Sequence, residues 1–155
     1  MILTAILLER KGWIDMKLMI DTNIILDVLL EREEFFEDSK KILDLCEEKK
    51  ILGFISASTA TDIFYLTRKG LGSTEEAYKA LAHILNIAKI LSVTNNDVNT
   101  AFLQKAKDFE DCLLATCAKS NKCDGIVTRN KNDFKDFGIK LYSPSEILNL
   151  KKYKK

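Results

Sequence analysis

Short apolar runs alternate with longer segments of helical periodicity along most of this 155-residue chain. The apolar runs predict strands at 17–20, 53–56, 90–93, 125–128 and 139–142. Buried parallel strands read as continuous apolar runs, and the helices between them supply the crossover connections. The alternation therefore predicts an α/β fold in which helices cover both faces of a parallel sheet.

Net charge and cysteine spacing narrow the classes of function. The formal net charge is +1, from 24 basic and 23 acidic residues, so the totals carry no overall signature of a nucleic-acid binder. A basic rim around an acidic centre would leave the same totals. The four cysteines form no C-x-x-C pair and the single histidine, His83, is distant in sequence, which does not favour a zinc site. Unpaired thiols of this kind indicate a reducing cytosol, so we expect a cytoplasmic protein.

The sequence divides into a domain with two short flanks. Residues 1–15 form an N-terminal extension, and Met16 is an alternative start because the domain pattern begins there. The apolar run Ile2–Leu8 is too short to span a membrane, and it lacks the flanking features of a signal peptide. Residues 16–150 form the predicted domain, and 151–155 form a basic tail that we expect to be solvated.

Acidic residues follow several of the predicted strands. Asp21 ends the first strand, Asp62 lies in the helix after the second, and Asp108, Asp111 and Asp133 lie after the third and fourth. Ligands of open parallel sheets bind beyond the carboxyl ends of the strands, which is where these acids fall. Each also has a simpler interpretation, because Asp caps helices, tolerates helix surfaces and is favoured in a first helical turn.

Taken together, these acids indicate a cation-binding site. Crowded carboxylates repel one another and are costly to bury, so such a cluster requires a cation. With oxygen ligands and no His or Cys nearby, the cation should be a hard one, Mg²⁺ or Mn²⁺. The spacing allows this cluster but does not show that the side chains converge.

Three segments together resemble one known family. The segments "MIDTNIILD", "DFEDCLLATCA" and "IVTRNKNDF" occur in an order and at spacings similar to the PIN domain family of metal-dependent nucleases. The resemblance covers Met16 to about Leu148. It implies a three-layer α/β/α sandwich with a parallel sheet of four or five strands, an acidic site that binds one or two Mg²⁺ or Mn²⁺ ions, and endoribonuclease activity.

The resemblance also assigns catalytic positions. Asp21 matches the family's first acid, Asp111 the third and Asp133 the fourth, and these three would hold the metal ion. Asp62 falls where the second acid, usually Glu, is expected. Because Asp is one methylene shorter than Glu, Asp62 would reach the metal through water.

Further residues would support this site. Asn23 and Thr128 match polar residues that assist the acids, and Asp108 is an additional acid. The Thr128 hydroxyl could hold a water or a phosphate oxygen. Arg129 and Lys131 are candidates for contact with the RNA backbone, although solvated surface charge explains them equally well.

Small single-domain members of this family look like VapC-type toxins. That likeness implies a homodimer, an antitoxin protein as partner, RNA as substrate and no association with a membrane. An inert PIN-like module that binds RNA or assembles with other proteins is the main alternative. A haloacid-dehalogenase phosphatase would have D-x-D where this chain has Asp21-Thr22-Asn23, and a receiver domain would cluster its acids differently.

Overall fold

The computed structural model describes residues 15–150, so the basic tail and nearly all of the predicted N-terminal extension lie outside it. Within this range the strands are β1 (Lys17–Ile20), β2 (Leu52–Ser56), β3 (Lys89–Leu91), β4 (Gly125–Val127) and β5 (Leu141–Tyr142). The helices are α1 (Thr22–Leu29), α2 (Glu33–Glu47), α3 (Ala57–Leu71), α4 (Thr74–Ile87), α5 (Asn95–Gln104), α6 (Phe109–Ser120), α7 (Lys131–Phe134) and α8 (Pro144–Leu150).

The five strands form one sheet in the order β3-β2-β1-β4-β5, and every neighbouring pair is parallel. β1 lies in the centre, with Met19 opposite Phe54 of β2 and Ile126 of β4. The carboxyl ends of β1, β2 and β4 therefore meet at one edge of the sheet. The predicted α/β class and the parallel sheet of five strands are confirmed.

Alternate residues of the strands face two separate cores, which makes the three layers. Leu18, Ile20 and Val127 pack with side chains of α1, α2, α3, α4 and α8 on one face. Met19 and Ile126 pack with side chains of α6 and α7 on the other face. A strand places successive side chains on opposite faces, and both faces of the central strands are covered, so β1 from Leu18 onward and β4 are buried throughout and contain no polar alternation.

Side-chain caps explain where several helices begin. The Ser56 hydroxyl accepts a hydrogen bond from the Thr59 amide at 3.1 Å, so α3 begins at Ala57, directly after β2 and next to the predicted start near Ser58. Ser143 caps α8 through the Glu146 amide at 3.2 Å, as the sequence predicts. β3 and β5 are shorter than their apolar runs predict.

Two predictions about thiols and membranes also have structural counterparts. Cys112 and Cys117 are free and buried, as their apolar helical segment predicts. None of the helices between residues 15 and 150 has the length and apolar character that a membrane span requires.

A buried carboxylate joins α1, α2 and the end of β4. Asp27 is 0% exposed and accepts hydrogen bonds from Arg129 Nε at 3.0 Å, Arg32 Nη1 at 3.2 Å and Ser39 Oγ at 3.0 Å. The Arg129 guanidinium also lies over the Phe35 ring, 3.9 Å from its centroid. A charge buried this deeply is stable only when it is paired and hydrogen-bonded, and Asp27 meets both conditions.

This network reaches two of the predicted site residues. Arg129 directly follows Thr128, and Arg32 Nη1 also donates to the side-chain oxygen of Asn23 at 3.3 Å. Asp27 therefore links the segment after β4, which carries Thr128, with the segment after β1, which carries Asn23.

We predict that Asp27→Ala strongly destabilises the fold, because it leaves two guanidinium groups without their buried carboxylate. Removing one partner of a buried ion pair costs about 3–5 kcal/mol. The matched control is Asp44→Ala on the surface of α2, where Asp44 pairs with Lys40 at 2.9 Å and an exposed pair contributes at most about 1 kcal/mol. Urea unfolding of both variants gives the comparison, and equal losses for the two would contradict the structural role of Asp27.

Candidate active site

A cavity of about 260 Å³ opens at the carboxyl edge of β1, β2 and β4. Its acidic lining residues are Asp21, Asp108, Glu110, Asp111 and Asp133. Its other lining residues are Thr22, Asn23, Leu26, Ser58, Thr59, Leu66 and Leu114. The predicted acids at 21, 108, 111 and 133 are thus brought together at one place, although two of them are N-cap residues of α1 and α6 and the other two lie within α6 and α7.

Asp21 is the most buried acid of the cavity. It stands at the N-cap position of α1, yet its carboxylate makes no capping hydrogen bond to that helix. Instead Asp21 Oδ2 accepts a hydrogen bond from the Thr128 hydroxyl at 2.9 Å. Burial raises the pKa of Asp21, and the bond from Thr128 offsets part of that rise.

Thr128 serves the acid and not an incoming ligand. Its side chain is 0% exposed, and its oxygen also accepts a hydrogen bond from the Asn130 amide at 3.0 Å. Because the single hydroxyl proton already goes to Asp21, Thr128 has none to offer a water or phosphate oxygen. Thr128 orients the Asp21 carboxylate across the β1–β4 pair.

Asp108 and Asp111 have different roles at the start of α6. Asp108 is the N-cap, and its Oδ1 accepts a hydrogen bond from the Asp111 amide at 3.0 Å. Asp111 is half-buried, and its pKa is raised to about 7 by burial and then by the negative charges of Asp108, Asp21 and Asp133. The charges of Asp21 and Asp133 therefore act on Asp111, so the three predicted metal-binding acids lie close enough to repel one another.

Asp62 does not line this cavity, whereas a residue that sequence reasoning missed does. Asp62 lies half-buried in α3 and shares a hydrogen bond with Glu110, raising the pKa of Glu110 to about 7 together with burial and nearby carboxylates. Glu110 lines the cavity between Asp108 and Asp111. The acidic first turn of α6 was the available signal, since Glu110 stands inside the motif that identified Asp111.

The two predicted RNA-backbone residues have protein partners. Arg129 is 22% exposed and bound to Asp27, as described above. Lys131 forms an ion pair with Glu146 on the surface. Their contact with RNA stays a prediction, and the geometry gives both side chains another role.

The donors of the cavity suit a hard cation by chemical type. Carboxylate oxygens without imidazole or thiolate are the ligands preferred by Mg²⁺ and Mn²⁺, and the raised pKa of Asp111 marks negative charge that such an ion would offset. Between residues 15 and 150, no three acidic, histidine or cysteine side chains are already spaced to hold a metal ion. Ion binding therefore requires the carboxylates to turn toward one another, and the metal assignment remains a proposal.

Comparison with known families identifies the domain. A family model described as the PIN domain matches residues 17–132. The chain belongs to the PIN domain family. The match covers most of the chain, and the predicted resemblance to this family is confirmed. The comparison with curated proteins finds no match.

Solved structures show the same PIN fold. A chain of VapBC2 from Rickettsia felis, bound to a DNA fragment from its promoter, is 21% identical with a TM-score of 0.62, over 81% of this chain and 96% of that one. A chain of FitAB bound to the IR36 DNA fragment is 20% identical with a TM-score of 0.61, over 82% of this chain and 94% of that one. The predicted VapC-type architecture is confirmed at the level of the fold.

We predict that Asp111→Asn stabilises the metal-free protein in a pH-dependent way. Because the folded state raises the pKa of Asp111 from 3.8 to about 7, the folded protein loses stability as the pH rises through this interval. The gain from Asn should therefore be absent near pH 4 and complete near pH 8, on the order of 1 kcal/mol after solvent screening.

Urea unfolding in EDTA at the two pH values measures this gain. Asp38→Asn on α2 is the control, because Asp38 is exposed there and pairs only loosely with Lys41 at 3.8 Å. A gain from Asp111→Asn that is equal at both pH values would argue against the repulsion among these carboxylates.

Proposed function

We propose that this PIN domain is a metal-dependent endoribonuclease of the VapC type, and that it is the toxin of a toxin–antitoxin pair. The observation that carries the proposal is the convergence of Asp21, Asp111 and Asp133 on one cavity at the carboxyl edge of the sheet. The raised pKa of Asp111 supports it, because the protein maintains charge there at a cost to stability.

The chain's own residues would divide the work of cleavage. Asp21, Asp111 and Asp133 would hold the ion, and Thr128 keeps the Asp21 carboxylate in a fixed orientation. The hydrogen bond with Asp62, with burial, raises the pKa of Glu110 to about 7, so Glu110 carries its negative charge less readily than an ordinary carboxyl. When bound, Mg²⁺ or Mn²⁺ supplies Lewis acidity that activates water and offsets charge on the phosphodiester.

A partner protein fits this proposal. VapBC2 and FitAB, the similar structures, are complexes bound to DNA, and by analogy this chain would pair with an antitoxin. Helices α1 and α2 place Ile24, Ile42 and Leu45 in the core, so these side chains are not available for contacts with a partner. Large apolar side chains are exposed elsewhere, at Tyr65, Leu71, Tyr78, Phe102, Leu103 and Phe109. These exposed apolar side chains provide surface for the proposed contacts with an antitoxin and with a second copy of the chain.

The second candidate is an inert PIN module that binds RNA or a partner without cleavage. It is favoured by the lack of three ready-spaced ligands in the described part of the chain. Metal or RNA binding by the wild-type protein without any cleavage would support this candidate over the nuclease.

We predict that Asp21→Asn lowers RNA cleavage in Mg²⁺ or Mn²⁺ by about a hundredfold or more, because a buried metal-binding carboxylate becomes neutral. We also expect Mn²⁺ to raise the melting temperature of the wild-type protein at pH 8 and to have little effect on the variant. Asp44→Asn on α2 should keep both responses. Unchanged cleavage by Asp21→Asn would remove the proposed mechanism.

We predict opposite results for two substitutions at Thr128. Thr128→Val removes the hydroxyl that donates to Asp21, so activity or metal affinity should fall by about 10- to 100-fold. Thr128→Ser retains the hydroxyl and should stay within about threefold of the wild type. Kinetics as a function of Mn²⁺ concentration test this pair, and melting curves verify that both variants fold. Equal activity of the two would show that the hydrogen bond is dispensable.

A further inference from the structure

A second cavity, of about 550 Å³, adjoins the candidate active site. Asp108, Asp111 and Asp133 line both cavities, so the two are continuous through these acids. The remaining lining residues are Gln104, Ala106, Lys107, Asn132, Asp136 and Phe137. The proposed cleavage chemistry uses none of them.

The lining of this second cavity suits a neutral, planar, polar group. Gln104 and Asn132 each carry an amide that both donates and accepts hydrogen bonds. Phe137 contributes apolar surface, and its ring is held against Phe134 in an edge-to-face contact with centroids 6.3 Å apart. Aromatic and amide groups in one cleft are the elements by which proteins recognise unstacked bases.

The charges of the lining argue against a phosphate in this cavity. Asp111 and Asp133 belong to the proposed ion site, and the other two aspartates of the lining, Asp108 and Asp136, face a single cation, Lys107, so an anionic group would meet net repulsion. A base is uncharged, and its N–H groups can donate to carboxylate oxygens. The cavity therefore fits the part of a nucleotide that bears no charge, while its phosphate would stay at the neighbouring acids with their cation.

We propose that this second cavity is a base-recognition subsite for the nucleotide next to the cleaved phosphodiester, an inference that rests on the proposed ribonuclease function. Its many acceptors favour bases that carry an exocyclic amino group. Adenine and cytosine present such a donor, whereas uracil presents a carbonyl oxygen at the same position. The subsite should accordingly prefer adenine or cytosine over uracil.

Gln104→Ala is the most direct test of this subsite. Gln104 is the last residue of α5 and is exposed, so its truncation leaves the core intact. The matched control is Asn99→Ala, which removes an exposed amide from the same helix but outside the cavity. Melting curves of both variants verify that the fold is unchanged.

The measured quantity is base preference in binding and in cleavage. Fluorescein-labelled rA5, rC5 and rU5 are titrated at low salt and followed by anisotropy, with Ca²⁺ present as a hard cation for the acids, and matched substrates are cleaved with Mn²⁺. We expect wild type and Asn99→Ala to prefer rA5 or rC5 over rU5. Gln104→Ala should reduce that ratio by about three- to tenfold, the effect of one hydrogen bond. An unchanged ratio in Gln104→Ala, or no preference in the wild type, would overturn the subsite.

The two measurements separate this proposal from the one on which it rests. If the wild type cleaves no RNA but shows the amino-base preference in binding with Ca²⁺, and Gln104→Ala reduces it, the nuclease proposal fails and the subsite stands. If cleavage is normal and Gln104→Ala has the wild-type ratio, the nuclease stands and the subsite fails. An equal loss of affinity for all three oligonucleotides in Gln104→Ala also counts against base recognition, because uniformly weaker binding is typical of lost phosphate contacts.

Discussion

The parallel pairing of β1 with both of its neighbours is the constraint on which the rest of this structure depends. Because β2, β1 and β4 run in the same direction, the residues that follow them arrive at one edge, however far apart they lie in sequence. The hydrogen bond from Thr128 to Asp21 joins residues 107 positions apart and is possible only with this register. The cavity exists because strand direction, strand length and side-chain alternation agree.

The acids at and near the candidate active site are accommodated in three different ways. Asp27 is fully compensated by two arginines and a serine and belongs to the framework. Glu110 has a hydrogen bond with Asp62, which raises the pKa of Glu110 to about 7. Asp111 has no such partner among the described residues, and burial with the charges of Asp108, Asp21 and Asp133 raises its pKa to about 7. Structural acids in this fold are those with partners, and the acids without full compensation collect at the cavity.

Sequence reasoning predicted the features that follow from local pattern. The positions of the strands, the capped start of α8 and the placement of Asp21 and Thr128 at strand ends all depend on short-range signals. The order of the strands in the sheet and the contacts between distant side chains do not. Nothing in the sequence indicates that Arg129 turns toward Asp27, 102 residues away, or that Asp62, which lies outside the cavity lining, meets Glu110. The short helix α7, which carries Asp133, has too few residues to show a helical period.

The pairing of Asp27 with Arg129 and Arg32 has a consequence for the neighbouring cleft. Arg129 is close enough to Asp21 for its positive charge to lower the pKa of that acid, yet its donors are turned to Asp27. Asp27 thus holds the Arg129 donors away from Asp21, so that Arg129 acts on the cleft only through its charge. Among the residues that the structure describes, the lining of the cleft itself is left with five acids and no basic side chain.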